Sequence, residues 1–283
     1  MRSGDKMDLN YKKLLECSSA ILKTAKDLGA SLSGICDLDD LKTAPSFTLA
    51  PKLPQADIGS RESDIGLKPG EVFWPEYAKS AVIIAYEHAK ENPDLDWWFG
   101  KKEPPGNKAL VDISKKLAAW IETNYPITTY PCPYYVEKGG IFLKDSAYYA
   151  GLGCIGRNNL LITPEYGPRV RLRAMLLSVK LPATGPSGFN PCNICESPCL
   201  QSCPQDAFKE IVYRSAEMGQ ENLPGRAGNY SRGKCNNQMK KDASRAKEQD
   251  IPEFSSKPVR IIKYCRNCEF SCPVGSNNLP DKS

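Results

Sequence analysis

Apolar residues at Leu14, Leu15, Cys17, Ile21, Leu22, Ala25 and Leu28 recur at the three-to-four-residue spacing of one helical face, so the pattern predicts an amphipathic helix over 8–28, closed by Gly29. Cys17 falls on that face and is expected to pack as a small buried hydrophobe. Residues 31–36 and 81–86 read as strands, and the second, apolar on both faces, is expected at the centre of a sheet. The stretch 43–70 between them is rich in proline, serine and charge and predicts a functional lid or a disordered loop. A second amphipathic helix is expected from a cap at Asn107 to about Asn124, with Leu110, Ile113, Leu117, Trp120 and Ile121 on its buried stripe.

Strand-like alternation returns at 169–179. It sets Arg169, Arg171 and Arg173 on one face and Val170, Leu172 and Ala174 on the other. The guanidinium face is expected in solvent or, failing that, on an anionic ligand. Residues 182–191 are dominated by Pro, Gly, Ser and Thr, which marks a linker. Two domains are therefore expected, 1–183 and 184–283.

With 283 residues, 41% of them hydrophobic and 25% charged, the chain has a globular composition and enough length for a real core. The apolar run at 81–86 is far short of the roughly 18 residues that cross a bilayer, so no membrane span is expected. Asp5 and Asp8 interrupt the start and no apolar signal region follows, which predicts a cytoplasmic protein. A net charge of +5 gives only weak support for a nucleic-acid partner.

The twelve cysteines change this picture. In a reducing compartment closely spaced cysteines bind metal more often than they form disulfides. Eight of the twelve lie between Cys192 and Cys272. The first group, Cys192, Cys195, Cys199 and Cys203 followed by Pro204, is close to the bacterial ferredoxin run with one extra residue before Cys199. The second is Cys265, Cys268 and Cys272 followed by Pro273, and Cys235 stands between the groups. In two-cluster ferredoxins the cysteine before proline ligates the other cluster. One 4Fe-4S cluster is accordingly expected on Cys192, Cys195, Cys199 and Cys272, and a second on Cys203, Cys235, Cys265 and Cys268. Paired structural zinc sites use similar knuckles and are the competing reading, which the two Cys-Pro endings disfavour.

A ferredoxin alone needs far fewer residues than the some 180 that precede Cys192, so that part is expected to use the electrons. It shows no dinucleotide-binding glycine fingerprint and no phosphate-binding lysine loop, and the single histidine, His88, is expected to be structural.

The run from Ala150 through Gly151, Gly153, Cys154, Gly156, Arg157 and Asn158 to Ile162, followed by the double cysteine set with Cys235, resembles the epoxyqueuosine reductases and the related reductive dehalogenases. The resemblance implies an α/β (α+β) fold, a nitroreductase-like core holding cobalamin, followed by a ferredoxin-like domain with two 4Fe-4S clusters. It implies that Gly151, Gly153 and Gly156 let the backbone approach the corrin and that Arg157 and Asn158 bond its polar substituents. It places an acidic proton donor at Glu137, with Asp145 as a competitor. The dehalogenase branch uses a tyrosine, for which Tyr135 stands ready beside Tyr134, Tyr148, Tyr149 and Lys144. Electrons would come from a low-potential donor such as a ferredoxin or flavodoxin. Only eleven residues follow Cys272, which lacks the C-terminal helical extension that holds tRNA in many epoxyqueuosine reductases, so a small-molecule substrate is expected ahead of tRNA. Two other readings remain open: an electron-transfer activator of another corrinoid protein, and an RNA-binding module built on 225–247, where seven Lys or Arg meet only Asp242 as an acid.

Overall fold

The computed structural model describes residues 3–58, 63, 65–100, 102–251 and 257–275, with the side chains of 3–10, 55 and 56 outside that set. Part of the 43–70 stretch, at 59–62 and 64, and most of the segment after Cys272, at 276–283, thus lie outside the described residues.

In chain order the elements run α1 (Ser3–Asp27), β1 (Leu32–Asp37), α2 (Leu38–Thr43), α3 (Pro45–Leu49), α4 (Gln55–Ile58), β2 (Ser80–Glu87), β3 (Trp98–Phe99), α5 (Pro105–Asn124), β4 (Thr129–Pro131) and α6 (Leu143–Tyr149). There follow β5 (Cys154–Ile155), β6 (Leu161–Ile162), β7 (Val170–Leu177), α7 (Pro198–Gln201), α8 (Ser215–Met218), α9 (Arg232–Arg245), β8 (Lys247–Gln249), β9 (Val259–Ile262) and α10 (Asn267–Phe270).

The main sheet is antiparallel in the order β1-β2-β7-β4. β2 is apolar on both faces because it lies between two neighbours and under two layers. Val82 and Ile84 pack with Ile35, Met175 and Leu177 against Cys17, Ile21 and Ala25 of α1 and Leu110, Ile113, Leu117 and Ile121 of α5. Ala81, Ile83 and Ala85 face the other way, onto Leu38, Leu41, Phe47, Ala147 and Leu152. Ile83 is fully buried at the centre of this layer. Ile83→Ala is expected to cost about 2–5 kcal/mol, a lost side chain plus the cavity left behind, read as a lower denaturation midpoint.

Three expectations are corrected. The second helix starts at Pro105, not at an Asn107 cap, because proline at the first helical position loses no hydrogen bond and its fixed φ already fits. The 43–70 stretch is neither an open lid nor irregular throughout: α3, a 3-10 turn over Ala50–Lys52 and α4 occupy it, and Phe47, Leu49 and Ala50 are buried. The 182–191 linker is pinned at its start, where the Thr184 amide donates to the Ile35 carbonyl and the Ile35 amide donates to Thr184 Oγ1.

The two segments on either side of that linker share structure. β3 from the first pairs with β9 from the second, which pairs with β8. No described helix is long and apolar enough to cross a membrane.

Candidate iron-sulfur site

The cysteines gather as two foursomes. Cys192, Cys195, Cys199 and Cys272 line one enclosed pocket together with Arg157, Asn158, Ile162 and Ser197. Burial, reinforced by the neighbouring Cys272, Cys192 and Cys195, pushes the Cys199 thiol up to about 11. In the other group burial, then Cys235, Cys265, Glu269 and Cys203, push the Cys268 thiol up to about 12. The groups differ in depth: Cys192, Cys199 and Cys272 are buried, whereas Cys265 is exposed and its three partners are half-buried. Short helices present the thiols, and backbone amides already point at sulfur, Ser197 to Cys195 and Ala207 to Cys203, each at 3.4 Å. Among the described residues no three His, Cys, Asp or Glu side chains converge closely enough to share one metal ion. The first foursome lines a pocket instead.

Three of the remaining cysteines lie in the core layers and the fourth lies beside the first set. Cys17, Cys36 and Cys132 are buried in the two core layers, and burial raises all three thiols, that of Cys132 to about 12. Cys154 packs beside Cys192 and Cys272 and accepts from Arg226 Nη2 at 3.4 Å.

Polar side chains of the core hold the cysteine loops by their carbonyls. Arg157 Nη1 donates to Ser197 Oγ at 2.8 Å and to the Cys195 carbonyl at 3.4 Å. Asn158 Nδ2 donates to the Cys268 carbonyl at 3.2 Å, so one side chain lining the first pocket reaches a loop of the second group. Arg169 donates to the carbonyls of Cys272 and Val274 at 3.4 and 2.7 Å. The arginine face of β7 is thus neither solvated nor turned to a free anion: Arg169 and Arg173 are buried, and Arg171 meets Asp96 and Glu269 at 2.9 and 3.2 Å. Arg266, between Cys265 and Cys268, joins the same group through Asp96, Glu269 and the His88 carbonyl. Burial would raise the Asp96 carboxyl, but the His88 hydrogen bond and the Arg171 and Arg266 charges hold it below the ordinary range. His88, fully buried with Nδ1 2.9 Å from Asp96 Oδ1, belongs to this dock. Alternation in the sequence marked the three arginines; the partners of Arg169 and Arg171, some of them about 100 residues away in the chain, carried no signal.

Each glycine of the motif lies close against the protein's own chain. A Cβ on Gly153 would lie 2.0 Å from the Ile162 carbonyl oxygen, and one on Gly156 would lie 2.7 Å from Asn158 Oδ1 and Ile162 Cγ1. Gly151, at φ +76, backs onto the Thr184 carbonyl. All three admit the protein's own chain, the β5-β6 hairpin at Gly153 and Gly156 and the linker at Gly151. Gly153→Ala is therefore expected to destabilise the whole fold by roughly 1–3 kcal/mol or more through overpacking, lowering the denaturation midpoint rather than removing ligand binding alone.

Among the acid candidates, Glu137 is 6% exposed in a one-turn 3-10 helix over Val136–Lys138, which Gly139 closes in the left-handed region. Tyr135 precedes it, half-buried and edge-on to the exposed Tyr134 at 5.2 Å, whose ring carries the Arg173 guanidinium at 5.4 Å. Asp145 is elsewhere engaged. It is 1% exposed and accepts from the Ser46 amide at 2.9 Å, which ties α6 to the start of α3. Burial raises its carboxyl despite that bond and the Lys144 charge. Lys144 Nζ donates to the Asn159 carbonyl at 2.6 Å, and burial pulls its pKa down to about 8.

No family model matches the chain. It is 35% identical over 136 residues to an epoxyqueuosine reductase of Gloeobacter violaceus, covering 45% of this chain and 41% of that protein. It is 26% identical over 218 residues to a tetrachloroethene reductive dehalogenase of Desulfitobacterium hafniense, covering 68% and 38%. The chain thus spans about two fifths of the length of these relatives. Its fold matches an epoxyqueuosine reductase solved with an epoxyqueuosine-modified tRNA-Tyr stem loop, at a TM-score of 0.62, 19% identity and coverage of 93% of this chain and 66% of that one. It also matches a reductive dehalogenase whose structure was reported to suggest a mechanism for B12-dependent dehalogenation, at a TM-score of 0.58, 15% identity and coverage of 92% and 32%. The homologues of this chain are reductases of two kinds.

Proposed function

We propose that this chain is a cytoplasmic iron-sulfur oxidoreductase that takes single electrons from a soluble low-potential carrier and delivers them to an organic substrate over its core. The observation that carries this reading is the division of eight thiols into a solvent-facing and an enclosed foursome, both bonded to the core that bears Glu137. The donor set fits two 4Fe-4S clusters, four soft thiolates each, and the Cys-Pro endings after Cys203 and Cys272 favour iron over zinc. Bound there, such clusters supply one-electron storage. The chain's own part is to exclude water from the inner set, to fix the cysteine loops through Arg157, Asn158 and Arg169, and to present the buried Glu137 side chain to the substrate.

Reductive loss of a halide consumes an electron pair and one proton, and reductive opening of an epoxide an electron pair and two protons, of which the buried Glu137 carboxyl can pass one and solvent the other, while the two cysteine sets would supply the electrons. Glu137 is the better donor, because the Asp145 carboxyl already caps α3. Likeness to an epoxyqueuosine reductase moves a modified tRNA nucleoside ahead of a small organohalide as the first substrate to try. Cobalamin comes to this chain only by kinship with the B12-dependent neighbour. Here Gly151, Gly153 and Gly156 lie against the protein's own chain and Arg157 and Asn158 bond the cysteine loops, and no step is routed through that group. The same observation favours a second reading, a reductase partner that hands electrons to another corrinoid protein.

The test is anaerobic reconstitution with iron and sulfide, reduction by a flavodoxin or ferredoxin, and reoxidation by an epoxyqueuosine-containing tRNA stem loop or by tetrachloroethene, with and without cobalamin. Reoxidation with product formed supports the oxidoreductase; reoxidation only by an added corrinoid protein supports the second reading; no stable reduced state overturns both.

A further inference from the structure

The charges around the two cysteine sets are unequal. Against the enclosed set stand Arg157, on the Cys195 carbonyl and Ser197, and the buried Arg169, on the carbonyls of Cys272 and Val274. Neither guanidinium meets a carboxylate among the described residues. Against the solvent-facing set stands Asp242 of α9, whose Oδ2 accepts from the Cys265 amide at 2.8 Å while Oδ1 accepts from Gln238 at 2.7 Å. It too has no ionic partner among the described residues. Arg266 and Arg171 beside this set are matched by Glu269 and Asp96.

We propose that Arg157 and Arg169 raise the reduction potential of the enclosed centre and Asp242 lowers that of the solvent-facing centre, so that electrons entering at Cys265 run inward. This rests on the reading of the two foursomes as 4Fe-4S sites. Reduction adds a negative charge to a cluster that is already anionic with its thiolates. Desolvation of the enclosed site opposes that added charge, and unpaired guanidinium groups within its wall offset the opposition. A carboxylate bonded to the backbone of a ligand loop acts the other way. The polarity is built from residues that bind no iron: the carbonyls that Arg157 and Arg169 hold would be served as well by neutral donors, and the Cys265 amide that Asp242 accepts from by a neutral acceptor.

The experiment is an anaerobic redox titration of the reconstituted full chain, followed by electron paramagnetic resonance. Each signal is assigned to its set with Cys199→Ser or Cys235→Ser. Arg157→Gln is expected to make the enclosed centre about tenfold harder to reduce, a shift of about 59 mV for one electron, while Arg157→Lys stays near wild type. Asp242→Asn is expected to make the other centre easier to reduce. Iron content is measured on every sample. Wild-type protein without two four-iron centres overturns the cluster reading itself. Full iron with both potentials unmoved in Arg157→Gln and Asp242→Asn, or moved in the opposite directions, overturns this inference alone. Should Arg157→Gln lose iron, Arg157→Lys at full iron with a lowered potential would likewise assign the arginine a purely geometric role and overturn it.

Discussion

Replacing Cys199 with serine is expected to lower the iron of the anaerobically reconstituted chain from about eight to about four per molecule, because each four-iron cluster needs its own thiolate set. Cys199 sits on α7 within the enclosed foursome, so its loss leaves Cys203, Cys235, Cys265 and Cys268 intact. Cys235→Ser should remove the other half. The two variants should retain different spectra, since one keeps a buried centre and the other an exposed one. Cys17→Ser should retain all the iron, for Cys17 packs between α1 and the sheet, far from either set. Iron lost from Cys17→Ser, or zinc in place of iron in wild type, would overturn the partition.

The second large effect concerns the proton. Glu137→Gln keeps the size and polarity of a side chain that is 6% exposed, yet cannot act as an acid. Turnover of substrate should fall by roughly 100-fold or more, the usual cost of losing a general acid, while the reconstituted clusters are reduced at the wild-type rate. Stopped-flow reduction and steady-state product formation, measured on the same preparation, separate the steps. Asp145→Asn should leave turnover near wild type, because the amide oxygen can still accept from Ser46 and cap α3. Turnover lost in Tyr135→Phe and kept in Glu137→Gln would shift the proton to the tyrosine and the chemistry toward the dehalogenase kind.

Both predictions draw on residues that were legible in the chain, but to different depths. The cysteines could be sorted into foursomes from spacing because ferredoxin loops are local: three ligands sit within a few residues, and the Cys-Pro endings signal the exchange of the fourth. Which foursome faces solvent could not be read, since depth depends on what packs over each loop. Cys235 lies on a helix whose side chains are exposed or half-buried, while Cys154, Ile162 and Val274 close over Cys192 and Cys272. The glycine motif illustrates the reverse case. Its glycines were correctly marked as places of close approach, yet glycine records only that something comes near, and here the neighbours are Ile162 and Thr184.

Local periodicity by itself determined the two amphipathic helices, the central strand at 81–86 and the alternation at 169–173, because burial of one face repeats at the period of the element that presents it. Only the tertiary structure decided what that alternation was for. Arg169 and Arg171 cannot be told from a solvated face until the carbonyls of Cys272 and Val274 and the carboxylate of Glu269, 98 residues beyond Arg171, fold back beside them. Ion pairs between distant residues leave no periodic trace, whereas hydrophobic packing within one element does, and so the dock that joins the two halves was settled by the fold alone.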